Sequence, residues 1–265
     1  MRTDIISEII ENKKNEVEQR RVDIPLVSFI GGIKKSDGRF RQAVIRDGTP
    51  SPKLIAELKF ASPASGKIRD AGDDEVLRIL KLYDKHASAV SVLTDNVYFS
   101  GSLKYLSLAK ENTSLPVLRK DFIINEYQIY ESRYYGADAV LLIVSILDKA
   151  KLKTFINIAK GLGMDCLVEA HDRDELDIAI RSGADIIGIN NRDLKTMTIN
   201  LNTTIELSKQ IPSGVVIVSE SGIMAKEDIV FLQKADIDAV LVGTTIMKGD
   251  IEEKLKELSD FYDKN

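Results

Sequence analysis

The chain has 265 residues, 44% of them hydrophobic and 29% charged, a globular balance that excludes disorder and fibre and leaves enough chain to bury a sizeable core. Lys and Arg number 37 against 41 Asp and Glu, for a net charge of -4, so nothing basic awaits a phosphodiester backbone and nucleic acid is not an expected partner. One cysteine, Cys166, excludes an internal disulfide or a multi-cysteine metal site, and His86 and His171 are the only other imidazole ligands; this usage suits the cytoplasm.

From the start of the chain, Asp4 and Glu8 interrupt the stretch that a secretory signal would need to keep apolar. The longest apolar run, Ala139 to Val144, is far shorter than the roughly 20 residues of a membrane span, so a soluble protein with no membrane partner is expected. A charged helix-like stretch covers Asp4 to Arg21, and a second lies near Phe40 to Arg46. Neither has the apolar residues for its own core, so residues 1–50 are expected to cap the remainder of the chain.

Short runs rich in Val, Ile and Leu then recur at 54–58, 89–93, 116–118, 139–144, 166–168, 186–189, 215–218 and 239–242. They start about 26 residues apart, room for one strand, one helix and two loops, and continuous apolar runs of this kind read as parallel strands covered on both faces. Helical spacing between them, as in 74–83 and 152–159, supplies the cover. A faint repeat, Gly136-Ala137-Asp138, Gly183-Ala184-Asp185 and Asp236-Ile237-Asp238, marks where a helix returns to a strand. Eight units predict a (β/α)8 TIM barrel with an N-terminal helical extension, one domain over 1–265; a doubly wound sheet more often stops at five or six strands.

Such a barrel builds its active site from strand C-termini and the loops after them. The expected strand ends are charged: Glu57 and Lys59 on one face of the first, Lys120 on the third, Glu169 on the fifth, Asn190 and Arg192 after the sixth, Glu220 on the seventh. A rim ion pair would explain Glu57 alone, but not charged or polar groups at five ends together. Ser221-Gly222 and Gly243-Thr244 combine glycine with hydroxyls before helix starts, which suits a phosphate; glycine also serves tight turns. Glu169, alone at the end of an apolar strand, is expected to be the carboxylate most readily tuned towards base catalysis. Cys166 begins its strand and reads as core, His171 as a residue that orients its loop, and His86 as a helix-end cap.

The segments Ile55 to Pro63, Ser91 to Asp95 with Phe99 to Ser102, Pro116 to Phe122, Leu167 to His171, Ile189 to Leu194 and Ser219 to Ile223 together resemble the indole-3-glycerol-phosphate synthase family of tryptophan biosynthesis. The resemblance implies closure of 1-(2-carboxyphenylamino)-1-deoxyribulose 5-phosphate to indole-3-glycerol phosphate, with loss of carbon dioxide and water and without metal or cofactor. By that resemblance Lys120 is the general acid for closure and Glu169 the general base for dehydration. Glu57 positions the amine or lysine, Lys59 holds the substrate anion or assists proton transfer, and Glu220 orients the polar network. Asn190 and Arg192 fix the carboxylate and hydroxyls, Ser62 and Phe122 contribute to substrate binding, and Ser221, Gly222, Gly243 and Thr244 cradle the phosphate. Phe60 stands where the family usually has a basic residue, and Ala64 where it usually has serine.

Two rivals fit less well. The isomerase one step earlier in the pathway would want a cysteine and aspartate pair, and Cys166 sits at the wrong end of its strand. A sugar-phosphate sensor has no need of an acid and a base over a reacting bond. A monomer acting on a small molecule is expected, with association with other pathway enzymes left open.

Overall fold

The computed structural model describes residues 5–46, 48, 51–194 and 196–259. Eight parallel strands close a barrel in which each pairs with its chain neighbours: β1 (Lys53–Leu58), β2 (Ala89–Leu93), β3 (Val117–Lys120), β4 (Ala139–Ile143), β5 (Asp165–Ala170), β6 (Ile186–Asn190), β7 (Val216–Glu220) and β8 (Ala239–Val242), with β8 returning to β1. The helices are α1 (Ile5–Asp23), α2 (Arg39–Val44), α3 (Asp73–His86), α4 (Asn96–Phe99), α5 (Leu103–Asn112), α6 (Glu126–Tyr134), α7 (Lys149–Gly161), α8 (Arg173–Arg181), α9 (Asn202–Ser208), α10 (Lys226–Leu232), α11 (Thr244–Lys248) and α12 (Ile251–Ser259). Asp4, the expected start of the first helix, lies outside the described residues.

Alternation along each strand divides the core in two. Ile55, Leu118, Leu141, Leu167, Ile186, Val218 and Leu241 point inward, while Ala56, Leu58, Val92, Val140, Val168, Ile187 and Val242 pack outward on the helices. Cys166 joins the outer layer, as expected of core; burial pushes its thiol up, away from the reactive range.

The bottom of the barrel is plugged by α2, whose Phe40 and Val44 enter the inner core. Aspartates at strand starts tie the plug down. Asp138 accepts from Ser36 Oγ at 2.9 Å, Asp165 from the Arg41 backbone N–H at 2.8 Å, and Asp238 from that of Arg46 at 3.0 Å. The acidic residue that recurs at helix-to-strand returns also satisfies backbone donors at the closed end: Asp138 accepts from the Val117 N–H at 3.0 Å and Asp238 from the Ile217 N–H at 2.9 Å. The second helix ends at Val44, two residues short of the expected Arg46.

Candidate active site

The same alternation decides which strand-end charges share one chamber. Glu57, Lys120, Glu169, Asn190 and Glu220 continue the inward rows of β1, β3, β5, β6 and β7, and with Lys59, Ser62, Phe122, Arg192, Ser221, Gly222, Gly243 and Thr244 they line one cavity of about 550 Å³ at the strand C-termini. Every residue expected from the sequence at this site is in that wall. Arg119, before Lys120, faces the other way and is buried behind β3, where it pairs with Asp121 at 3.0 Å; Asp121 is buried at the edge of the cavity wall.

Lys120 is the centre of the charge pattern. Its Nζ lies 3.0 Å from Glu169 Oε2 and 3.2 Å from Glu220 Oε2. Burial works to strip its proton, but Glu169, Glu220 and Glu57 overcome this and hold the ammonium well above the usual lysine range. On the neighbouring wall Lys59 pairs with Glu57 at 2.7 Å.

Two inward glycines make room for these acids. A Cβ on Gly188 of β6 would collide with the Glu220 carboxylate, and one on Gly243 with that of Glu57. Alanine at either position would displace an acid, so the glycines set where the carboxylates stand.

Glu169 is not alone at its strand end, which corrects the expectation from the apolar run. Asn190 Nδ2 donates to its Oε1 at 3.2 Å, His171 Nε2 lies 3.2 Å from the same oxygen, and Lys120 holds Oε2. Burial alone would raise its pKa, but Lys120 and His171 together hold it well below the usual carboxylate range. The buried acid pushed upward is Glu220, to about 8, because burial outweighs Lys120 and the Glu169 and Glu57 charges repel its ionised form. The β5 pattern shows a lone Glu169 because its partners arrive from β3, β6 and the loop after β5, which is information no single strand carries.

His171 orients Glu169, and is itself gripped by Glu175 at 2.9 Å. Burial lowers the imidazole's pKa, but Glu169 and Glu175 push it up to about 10, so it is a cation in the neutral range.

The loops after β7 and β8 close the far side. Ser221 takes φ 68°, the left-handed region that a residue with a Cβ enters at a cost of about 1 kcal/mol or more. It is held there by Asn191, whose Nδ2 donates to the carbonyls of Glu220 and Ser221 at 3.0 and 3.1 Å. Asn191 went unselected in the sequence because its neighbour Asn190 carries the inward position; strand alternation was the available signal. Lys248, Lys254 and the apolar Ile5, Ile6 and Ile9 of α1 also line the cavity unannounced. Phe60 is buried in the outer layer, its ring 5.6 Å from that of Tyr105. The position that departs from the family's usual basic residue therefore faces helices and takes no cation from the cavity. Arg192 donates to its own loop at Met197 O, 3.2 Å away. Among the described residues no cluster of three His, Cys, Asp or Glu is arranged for a metal ion.

The sequence model of indole-3-glycerol phosphate synthase matches residues 6–258. The chain belongs to the indole-3-glycerol phosphate synthase family. Curated relatives bearing that name include one from Thermoanaerobacter sp. (strain X514), 47% identical over 97% of this chain and 96% of that one, and one from Caldanaerobacter subterraneus subsp. tengcongensis, 45% identical over 96% of each. Solved structures match the fold alone: 3-hexulose-6-phosphate synthase from Salmonella typhimurium, 17% identical with a TM-score of 0.66, covers 78% of this chain and 97% of its own. A chain of the Pyrococcus furiosus tryptophan synthase complex, 16% identical with a TM-score of 0.60, covers 81% and 98%. As an indole-3-glycerol phosphate synthase the enzyme is a carboxy-lyase of tryptophan biosynthesis, and its substrate is a small molecule. No helix among the described residues is long and apolar enough to cross a membrane.

Proposed function

We propose that Lys120 donates the proton for ring closure and that Glu169 becomes the base for dehydration because Lys120 has donated. The observation that carries this is the placement of one ammonium between two buried carboxyl groups, 3.0 and 3.2 Å away. While Lys120 is charged, Glu169 is too weak a base to act. Closure joins an aromatic carbon to the substrate's carbonyl carbon, and its oxygen takes the lysine proton. Loss of carbon dioxide restores the aromatic ring. Lys120, now a neutral amine, no longer depresses Glu169; the hydroxyl leaves as water with a proton from the Lys59 ammonium, which solvent restores, and the Glu169 carboxylate takes the proton that the substrate gives up. That proton can return from Glu169 to Lys120 across the same 3.0 Å contact.

Lys59, held by Glu57, supplies a cation for the substrate's anionic groups, and Asn190 and Arg192 orient its carboxylate and hydroxyls. Ser62 and Phe122 contribute to the wall that seats it. The backbone donors of Ser221, Gly222, Gly243 and Thr244 cradle the phosphate. We read 1–265 as one domain with 1–50 as its cap, working in the cytoplasm as a monomer without metal or cofactor; association with other pathway enzymes is left open. The test is to incubate the purified chain with the carboxyphenylamino deoxyribulose phosphate and follow indole fluorescence. Turnover supports the assignment, and no turnover at any pH contradicts it.

A further inference from the structure

The N-terminal helix carries charges that no step of the reaction uses. Its buried residues are Ile9, Lys13 and Val17, four apart and therefore on one face, so a lysine occupies the middle of an otherwise apolar stripe. Lys13 is fully buried, with Nζ 2.7 Å from Glu16, 2.9 Å from Asp95 and 3.0 Å from Asp121. Asp121 also binds Arg119 at 3.0 Å, Arg119 binds Glu131 at 2.9 Å, Glu131 binds Arg20 at 3.1 Å, and Arg20 returns to Glu16 at 3.2 Å. These contacts close into a ring of alternating sign. It joins α1 to the outer face of β3 at the residues on either side of Lys120.

Burying ions is costly, and apolar residues of similar volume often serve stability as well, so such a ring is better explained by what it positions. Just before Lys13 on the same helix, Ile5, Ile6 and Ile9 form part of the cavity wall, on which Phe99 and Phe122 also stand. These are apolar groups of the kind that receive an aromatic ring.

We propose that Lys13 is a positioning residue whose ion pairs with Asp95 and Asp121 hold the first turns of α1 in place as an apolar wall for the substrate's aromatic ring. This rests on the reading that the cavity takes the carboxyphenylamino substrate. Among the described residues of α1, no other cation takes its place: Lys14 pairs with Glu11 at the surface, Arg20 is engaged with Glu131 and Glu16, and Arg21 pairs with Glu18. Without Lys13, Asp95 loses its cation, Asp121 keeps only Arg119, and α1 loses its hold on the barrel there. Arg119 still holds Asp121 and Glu131, so β3 and Lys120 stay in place. Binding should suffer while chemistry is spared.

The test is steady-state kinetics on the full chain for Lys13→Met, Lys13→Arg, Asp95→Asn, Ile6→Ala and the double variant of Lys13→Met with Ile6→Ala. Lys13→Met is expected to raise KM about tenfold, the worth of roughly one well-buried methyl or two, while kcat stays within about threefold. Lys13→Arg should recover most of the KM, and the double variant should be no worse than Lys13→Met because the wall is already lost. An unchanged KM, an equal fall in kcat at constant KM, or KM effects that multiply in the double variant would overturn the proposal. If Lys13→Met does not fold, Asp95→Asn decides by the same criterion: a raised KM at near-parent kcat supports it, and a parental KM contradicts it. Failure of the unsubstituted chain to turn over this substrate would instead contradict the reading of the cavity.

Discussion

Lys120 and Glu169 meet at 3.0 Å although their strands are not neighbours: β4 runs between β3 and β5, and the two side chains reach each other across the barrel interior. Their states are linked: the Glu169 carboxylate helps keep Lys120 an ammonium, and the Lys120 charge helps keep Glu169 ionised. Glu169→Gln keeps the shape but cannot take a proton, so dehydration should slow by about 10²-fold or more. In a single-turnover experiment carbon dioxide release should outrun indole formation; equal slowing of both would place Glu169 at or before closure.

Glu220 gives the pH dependence. With its carboxyl pushed up to about 8, it is mostly neutral at pH 7 and ionises as pH rises. The new charge, 3.2 Å from the lysine, makes Lys120 a poorer acid. The rate of closure should therefore fall as pH rises through about 8, and Glu220→Gln should remove that limb. A limb that persists unchanged in the variant would assign it to another group.

Gly188→Ala tests whether glycine sets the carboxylate's place. The added methyl meets the Glu220 side chain and stands 3.2 Å from Leu167 Cδ1, an overpacking cost of about 1–3 kcal/mol. Thermal unfolding should shift down by a few degrees while kcat falls about tenfold or more through displacement of Glu220. Parental kcat with a lowered melting temperature would show that Glu220 can move without consequence.

Inorganic phosphate or sulfate should compete with substrate, because the phosphate cradle proposed for the loops after β7 and β8 would bind the phosphate group on its own. Inhibition that is uncompetitive, or an anion found elsewhere with these loops empty in a phosphate-soaked crystal, would overturn that placement.

The barrel was legible because its strands are short apolar runs at even spacing, and each of the eight lies within a few residues of its expected position. The members of the site were legible for a related reason: Glu57, Lys120 and Glu169 are charges that interrupt apolar strands at their ends. Their electrostatics were not. Glu169 is depressed by Lys120 and His171, and Glu220 raised by burial, through contacts between strands whose relative rotation a linear pattern does not encode. Lys13 was hidden differently. Among the many charges of α1 it looks like a solvated residue, and only the buried Ile9 and Val17 a turn to either side reveal that it faces inward.

The central claim is that Lys120 donates the closing proton. Lys120→Met removes the ammonium while nearly keeping the length and volume of the side chain, so the fold should survive, although Glu169 and Glu220 are left without their shared cation. In a single turnover with enzyme in excess, neither carbon dioxide nor indole should form at more than about 10⁻³ of the parental rate, because decarboxylation waits on closure. Release of carbon dioxide within a few-fold of the parental rate would contradict the account.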